Sequence, residues 1–383
     1  MSEKRAIYAG SFDPPTKGHE WMINSGAGLF DTLIVLAGTN PDKKYLFSLH
    51  ERLAMLESIR SLLPNVAVSY LPNMLLADFA KQNGSTYLLR GLRNEADFRY
   101  EVDMLDENAD LNPRLETVLL VPPASLRRVS SSFVKGLTRS VGWENATKRH
   151  LPESIYPIFF KKILDNELAG ELRVRWFKLC RKAKALGDIE GAFNELVARY
   201  TESHRYYHTL DHILGCLTVF DRVRHLAKHP LSLEFSIFIH DGVYNVGPNV
   251  SDIINVEQSA ELLLSMLKDL NISIDISMPA EIDVLATKHN FIPKDSDQQL
   301  MIDIDLYSLS TPEEVFDWNT ANIRKEFSWV QPDSEFDAGR VAFMQRFLDK
   351  KVRPSIYMTE YFQSRYEALA RENLERYVKK FTK

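Results

Sequence analysis

The chain has 383 residues, and at ~150 residues per domain this length predicts two or three domains. Its hydrophobic fraction of 45% and charged fraction of 26% are globular values that exclude a disordered or fibrous chain. A net charge of −5 excludes a broad nucleic-acid-binding surface but not a local basic pocket. Two cysteines exclude a disulfide framework. With no signal-peptide pattern and no apolar run of membrane length, we expect a cytoplasmic protein without membrane association.

Short apolar runs of strand length alternate with helical patterns over the first 140 residues. The clearest helix is Ser48–Leu63, where Ser48 and Glu51 have the spacing of a capping box. The predicted strands are Ala6–Tyr8, Leu33–Ala37, Val66–Leu71, Tyr87–Leu89 and Thr117–Val121. This alternation predicts an α/β doubly wound (Rossmann-like) parallel sheet that binds ligands at the carboxyl ends of its strands.

Helical periodicity replaces this pattern from about Phe159 to the end of the chain. The clearest segments are Leu172–Leu186, His212–Leu226, Val256–Leu267 and Tyr361–Tyr377. We therefore predict a multidomain protein with an α/β domain over residues 1–166 and an all-α domain over residues 167–383.

Polar motifs follow several predicted strands of the first domain. Gly10–His19 follows the first strand and opens a helix, whose free amides favour anionic oxygens. Asn40–Lys44 follows the second strand, Arg90–Arg93 the fourth, and the serine-rich Val129–Lys135 the fifth. Because the carboxyl ends of parallel strands share one edge, these motifs predict a single polyanion site.

These motifs resemble those of phosphopantetheine adenylyltransferases, in the nucleotidyltransferase superfamily with a T/H-x-G-H signature. The matching segments are GSFDPPTKGH, NPDKKYLFSLHER, RGLRNEADFRYE and VSSSFVK, followed by a C-terminal helix in LPESI…KKIL. The resemblance covers Arg5–Leu164. It implies adenylyl transfer from ATP, with Mg²⁺, to 4′-phosphopantetheine, giving dephospho-CoA and pyrophosphate in coenzyme A biosynthesis. It also implies a homo-oligomer.

The resemblance assigns roles to residues of each motif. His19 and Lys43 would stabilise the transition state. Phosphopantetheine would be held by Ser11, Lys43, Leu76 and Arg90. ATP would be held by Ser11, Phe12, His19, Gly91, Arg93, Glu101, Ser130, Ser131 and Ser132.

Three departures from the family pattern leave alternatives open. Ser125–Arg128 replaces an aromatic-rich stretch, Ala9 replaces a proline, and Asp106–Asp110 replaces a small-apolar-Asn pattern. The acceptor could instead be nicotinamide or nicotinate mononucleotide. In a further alternative, a domain that binds ATP or CoA without turnover regulates the second domain.

The second domain contains three segments rich in histidine and aspartate. They are His204–His212, Ile237–Asp241 and Met301–Leu306. His208 and His212 are four residues apart and would share a helix face. Such a mixed nitrogen and oxygen set suits Mn²⁺, Fe²⁺, Ni²⁺, Zn²⁺ or Mg²⁺.

The order H…HD…D resembles that of the HD phosphohydrolase superfamily over Glu171–Lys383, and the likeness is greatest to small metal-dependent HD hydrolases. It implies metal-dependent hydrolysis of an unidentified phosphoester. The implied metal ligands are His212, His240, Asp241 and Asp305, with Asp303 as the alternative for the last position. His208 would protonate the leaving oxygen. Glu257 and His289 are candidates to orient water, contact phosphate or complete a second metal site.

Overall fold

Five strands form one parallel sheet in the computed structural model, which describes residues 3–40, 43–72, 74–247 and 250–382. Pro41 and Asp42 of the basic loop, and the side chain of Asp106, lie outside this description. The strands are β1 (Arg5–Gly10), β2 (Thr32–Ala37), β3 (Val66–Tyr70), β4 (Tyr87–Gly91) and β5 (Glu116–Leu120). Their order is β3-β2-β1-β4-β5, which confirms the predicted doubly wound parallel sheet.

The chain reverses its direction of travel across the sheet between β1 and β4. It moves outward from β1 to β2 and β3, then returns to place β4 against the other side of β1. A crevice opens at such a switch point, outside the carboxyl ends of the two strands. This strand order therefore predicts that a ligand binds at the loops after Gly10 and Gly91.

Helices connect the strands in the first part of the chain. The predicted capping box is present: Ser48 Oγ accepts from the Glu51 amide at 3.2 Å, and Glu51 Oε2 accepts from the Ser48 amide at 2.7 Å. The helices are α1 (Lys17–Leu29), α2 (Leu49–Arg60), α3 (Leu76–Gln82), α4 (Glu95–Leu111), α5 (Ser131–Leu137) and α6 (Trp143–Lys148).

The chain divides into two units, Met1–Leu164 and Asp165–Lys383, and the division falls within α7 (Tyr156–Lys182). The other helices of the second unit are α8 (Ile189–Tyr200), α9 (Leu210–Val223), α10 (Pro230–Ile239), α11 (Asp252–Asp269), α12 (Ile274–Ala286), α13 (Ser296–Asp305), α14 (Glu313–Phe327), α15 (Asp333–Leu348) and α16 (Glu360–Phe381). Short 3₁₀ turns follow α9 and α13.

A single apolar core joins the helices of the second unit, and the predicted helical character of this half is confirmed. Helix α10 lies at its centre, since Ser232–Ile239 is buried along its whole length. A helix that is buried on every face needs neighbours all around it. Within the described ranges, no helix is both long enough and apolar enough to cross a membrane.

Candidate functional sites

A cavity of about 280 Å³ lies at the switch point of the sheet. The ends of β1 and β4 line it, together with the first turns of α1 and residues of α4. Among the residues predicted from the sequence, it brings together His19, Arg90, Gly91, Arg93 and Glu101.

His19 is held in one orientation by the turn that precedes α1. The backbone N–H of Thr16 donates to His19 Nδ1 at 2.9 Å, so the proton of the neutral ring resides on Nε2. Burial, and then the positive charge of Arg93, lower the pKa of His19 to about 4. The imidazole is therefore neutral near pH 7 and serves as a fixed hydrogen-bond donor.

Each of the two arginines in this cavity is paired with a carboxylate of α4. Arg90 and Glu101 form a bidentate pair, with Nε–Oε2 at 2.8 Å and Nη2–Oε1 at 2.7 Å. Arg93 Nε lies 2.8 Å from Asp97 Oδ2. Such pairs hold a planar guanidinium in a defined orientation. Glu101 thus contacts Arg90 directly, although the family resemblance assigned the two residues to different ligands.

A second cavity, of about 670 Å³, shares Arg93 with the first. Arg127 and Arg128, from the stretch that departs from the family pattern, line it with Ser130. Ser130 caps α5, because its Oγ accepts from the Phe133 amide at 3.1 Å. The remaining predicted serines lie at the start of the same helix, where Ser131 Oγ donates to Pro14 O at 2.8 Å and Ser132 is exposed.

Four other predicted residues lie outside the lining of these two cavities. Ser11 uses its carbonyl to accept from Arg52 Nη1 at 2.6 Å, and Phe12 is buried with its ring edge-to-face on His19. A Cβ on Gly10 would lie 3.0 Å from the Phe12 ring, a tight contact that favours glycine there. Lys43 is exposed on the loop after β2. Leu76 begins α3 and packs against the sheet.

Asp13 is a buried residue of this region to which the sequence assigned no role. Its carboxylate accepts from the amides of Leu46 and Phe47 and lies 2.6 Å from Lys135 Nζ. It therefore joins the loop after β1 to the loop before α2 and to α5. Its place within the GSFDPPTKGH motif was the only sequence signal for this role.

In the second unit, four predicted ligands converge from three separate helix ends. His212 lies in the first turn of α9, His240 and Asp241 follow α10, and Asp305 ends α13. His240 Nε2 lies 3.2 Å from Asp241 Oδ2 and 3.3 Å from Asp305 Oδ1. His212 Nε2 lies 3.5 Å from each of the same two oxygens. The four candidate ligand atoms all lie within 4.8 Å of one another.

The donor atoms of this cluster fit a divalent metal ion. His240 Nδ1 lies 3.0 Å from Ile237 O and must donate to that carbonyl, which leaves the Nε2 lone pair directed at the cluster. Asp241 Oδ2 is buried and has no hydrogen-bond partner among the described residues. Burial raises the pKa of Asp241, but when His240 is protonated its charge and that of His208 outweigh burial and hold the pKa below its usual range; a bound metal ion would take the place of that proton on His240. Two imidazole nitrogens and two ionised carboxylates suit Mn²⁺, Fe²⁺, Ni²⁺ or Zn²⁺.

His208 stands beside the cluster and is held by a buried carboxylate. Its Nδ1 lies 2.8 Å from Glu326 Oε2, and its ring stacks on Tyr244 with centroids 3.9 Å apart. Burial lowers the pKa of His208, but the charges of Glu326 and Asp241 outweigh it, so the net pKa is raised. The protonated ring is thereby favoured next to the candidate metal site.

The three remaining candidates of this unit occupy different environments. His289 Nε2 lies 3.1 Å from Asp305 Oδ2, and its Nδ1 is buried without a described partner. Glu257 is half exposed and pairs with Lys288 Nζ at 2.7 Å. Asp303 lies away from the cluster, where it is fully buried and accepts hydrogen bonds from the amides of Met358 and Thr359 ahead of α16.

Sequence reasoning missed Glu326 and the fully buried Arg205, both of which support the loop carrying His208. Glu326 Oε1 accepts from the amides of Tyr206, Tyr207 and His208 at 2.7–3.0 Å. Arg205 Nη1 donates to the carbonyls of His208 and Asp241. Cys216 was also missed; its Sγ lies 3.7 Å from His212 Nε2. The site opens into a cavity of about 290 Å³.

The first unit is similar to known proteins. A family model described as cytidylyltransferase-like matches residues 7–136. A phosphopantetheine adenylyltransferase of Chromobacterium violaceum is 45% identical over 153 residues, which are 40% of this chain and 93% of that protein. A phosphopantetheine adenylyltransferase of Lacticaseibacillus casei is 37% identical over 165 residues, 43% of this chain and 97% of that protein. A Plasmodium falciparum nicotinic acid mononucleotide adenylyltransferase structure is 18% identical, with a TM-score of 0.33, over 42% of this chain and 96% of that one.

Proposed function

The chain belongs, through its first unit, to the phosphopantetheine adenylyltransferase family, and we propose that this unit transfers the adenylyl group of ATP to 4′-phosphopantetheine. The observation that carries the proposal is the cavity at the switch point, where His19, Arg90 and Arg93 meet. Two oriented guanidinium groups and a neutral donor suit a ligand rich in phosphate oxygens.

The proposed reaction needs positioning rather than an enzyme nucleophile. A phosphate oxygen of the acceptor forms a bond to the α-phosphorus of ATP, and the bond from that phosphorus to the bridging oxygen of pyrophosphate breaks. His19 donates from Nε2 to an oxygen of the transferred group, and Arg90, Arg93 and Lys43 neutralise negative charge. Mg²⁺ bound with ATP would neutralise further charge on the phosphate oxygens.

The direct test is an assay of the full chain with ATP, Mg²⁺ and 4′-phosphopantetheine. We expect dephospho-CoA and pyrophosphate in equal amounts, and a loss of both in His19→Asn but not in the exposed control His50→Asn. Nicotinate mononucleotide and nicotinamide mononucleotide serve as competing acceptors. If either mononucleotide is adenylylated and phosphopantetheine is not, the assignment of phosphopantetheine as the acceptor is wrong. ATP binding without pyrophosphate release from any of the three would instead favour a sensing domain.

We further propose that the second unit is an HD-type, metal-dependent phosphohydrolase. This proposal is carried by the convergence of His212, His240, Asp241 and Asp305 on one point. A divalent ion held there would supply Lewis acidity to the phosphoryl group and to the attacking water. The water oxygen forms a bond to phosphorus and releases one proton to solvent, the phosphorus–oxygen ester bond breaks, and the leaving oxygen takes a proton.

His208 is the proposed source of that proton. Its raised pKa keeps the ring protonated to higher pH than an ordinary histidine, as a general acid near neutral pH requires. Glu326 and Tyr244 fix the plane of the ring. Among the described residues Nε2 has no hydrogen-bond partner, so it can face the leaving oxygen. Glu326 acts here as a positioning residue.

Metal content and hydrolysis together test this second function. The full chain is purified without chelator, loaded with Mn²⁺ or Zn²⁺, and assayed on a panel of phosphoesters. We expect His240→Ala to lose both bound metal and hydrolysis, and the exposed control His225→Ala to retain both. Unchanged metal content and activity in His240→Ala would overturn the assignment.

A further inference from the structure

Arg340 is a cation in the wall of the second unit's cavity that the proposed chemistry has not used. It lies on α15 and lines the same cavity as Asp241 and Asp305. Three phenylalanines line the cavity as well: Phe327, Phe336 and Phe343. The guanidinium carbon of Arg340 lies 5.1 Å from the centre of the Phe343 ring.

No carboxylate of the described part of the chain lies within ion-pair distance of the Arg340 guanidinium, although the charge of Asp252 is near enough to attract it. Its Nε is buried without a hydrogen bond, and burial lowers the pKa of Arg340. Nearby arginines differ: Arg324 pairs with Asp333 and Asp337. Arg340 is half-buried, and an unpaired guanidinium in such a place is stabilised when it meets an anion as a ligand binds.

The balance of charges around the cavity favours the binding of an anionic ligand at Arg340. A divalent ion at the four-residue cluster would be balanced by the carboxylates of Asp241 and Asp305, and His208 is balanced by Glu326. Asp252, at the exposed start of α11, adds a negative charge. Among the described lining residues, Arg340 is the sole lysine or arginine. An anionic phosphate therefore depends on it for compensation.

Resting on the proposed hydrolase function, we propose that Arg340 binds the non-bridging oxygens of the substrate's phosphate. The phenyl rings beside it bind the organic group of the ester. The substrate is accordingly a small phosphomonoester whose organic group is uncharged and largely apolar. The cavity of about 290 Å³ is at the lower end of the range for ligand sites, which favours a small molecule.

The experiment uses the full chain loaded with Mn²⁺ and two kinds of measurement. Hydrolysis of phenyl phosphate is compared with that of glycerol 3-phosphate, and binding of the non-hydrolysable phenylphosphonate is measured by calorimetry. The variants are Arg340→Gln, Arg340→Lys and the exposed control Arg365→Gln, each checked for metal content and thermal unfolding. Arg340→Lys keeps the positive charge but not the shape of the guanidinium, and so tests which of the two is needed.

We expect phenyl phosphate to be the better substrate by kcat/KM. Arg340→Gln should weaken phenylphosphonate binding and raise KM by about tenfold to a hundredfold, as the loss of a charge-assisted contact predicts. Arg340→Lys should recover part of this loss, and Arg365→Gln should match the wild type.

The outcomes separate this proposal from the one on which it rests. If Arg340→Gln still hydrolyses phenyl phosphate with unchanged KM and unchanged affinity for phenylphosphonate, the proposed role of Arg340 is wrong, but the hydrolase proposal stands. A preference for glycerol 3-phosphate overturns the apolar organic group. If the wild type hydrolyses neither ester, the hydrolase proposal is wrong. Phenylphosphonate binding by the wild type and by Arg340→Gln then still decides whether Arg340 binds the anion.

Discussion

Replacing Glu326 with glutamine tests the buried network that orients His208. Glutamine keeps the shape of the side chain and removes its charge. The carboxylate accepts three backbone amides on Oε1 and faces His208 Nδ1 at 2.8 Å with Oε2, and it is fully buried. In Glu326→Gln the amide contacts can survive through the side-chain oxygen, but they lose their ionic character.

The expected loss of stability follows from these four contacts. Hydrogen bonds to a charged group contribute about 1.5–3 kcal/mol, against about 0.5–1.5 kcal/mol for neutral pairs. Part of the difference is offset because glutamine is easier to bury than a carboxylate. We therefore expect the second unit to lose about 2–4 kcal/mol of its free energy of unfolding.

The loss should depend on pH in a defined direction. The raised pKa of His208 means that its ion pair with Glu326 stabilises the fold fully below the unfolded histidine pKa of ~6.5. This part of the stability is lost as pH rises through the folded pKa. The difference between wild type and Glu326→Gln should thus be larger at pH 6 than at pH 9.

Native-state hydrogen exchange, read by mass spectrometry on α9 and α10, measures the free energy of opening at both pH values. The exposed Glu314→Gln on the same helix is the control. In parallel, the general-acid limb of the hydrolysis profile should move to lower pH in Glu326→Gln, because the pKa of His208 falls. A stability difference below about 0.5 kcal/mol, the size of an ordinary surface substitution, together with an unmoved limb would refute the reasoning.

Three further predictions concern single residues. Asp305→Asn should lose bound metal, whereas Asp303→Asn should keep it and instead lower stability by about 1–3 kcal/mol, as elemental analysis and urea unfolding would show. His19→Asn should slow pyrophosphate release by about 10²-fold or more. In the wild type, a His19 pKa of about 4 predicts no histidine limb between pH 5.5 and 8, and a limb near pH 6.5 that disappears in His19→Asn would contradict this. Glu101→Gln should raise the acceptor KM about threefold to tenfold by loosening Arg90; an effect on the KM of ATP alone would argue against that role.

The sheet could be predicted because its signals are local. Continuous apolar runs such as Leu33–Ala37 identify buried strands, and the Ser48 and Glu51 pair locates the start of α2 within one residue. Strand alternation then places Gly10 and Gly91 at one edge. The cavity between β1 and β4 follows from that order, which is why His19, Arg90 and Arg93 could be grouped before their distances were known.

The supports of the second site could not be predicted in the same way. Glu326 lies 118 residues from the histidine it contacts. Both Glu326 and Arg340 occupy helices whose other charged residues are mostly exposed. Nothing in the local pattern distinguishes them from surface charges. Only the packing of α14 and α15 shows that Glu326 is buried and that Arg340 is half-buried in the wall of a cavity.

Assigning Asp303 and Asp305 to one helix would have been enough to choose between them as the candidate metal ligand. Successive residues of an α-helix are 100° apart, so two residues at i and i+2 are about 200° apart and face opposite sides. Once α13 is known to include both, only one of them can reach the cluster of His212 and His240. Asp305, at the last turn, does so, and Asp303 turns to the amides ahead of α16. The two carboxylates of the D-x-D motif therefore divide between the candidate metal site and the support of a distant helix, which is why we expect Asp305→Asn to lose metal and Asp303→Asn to lose stability.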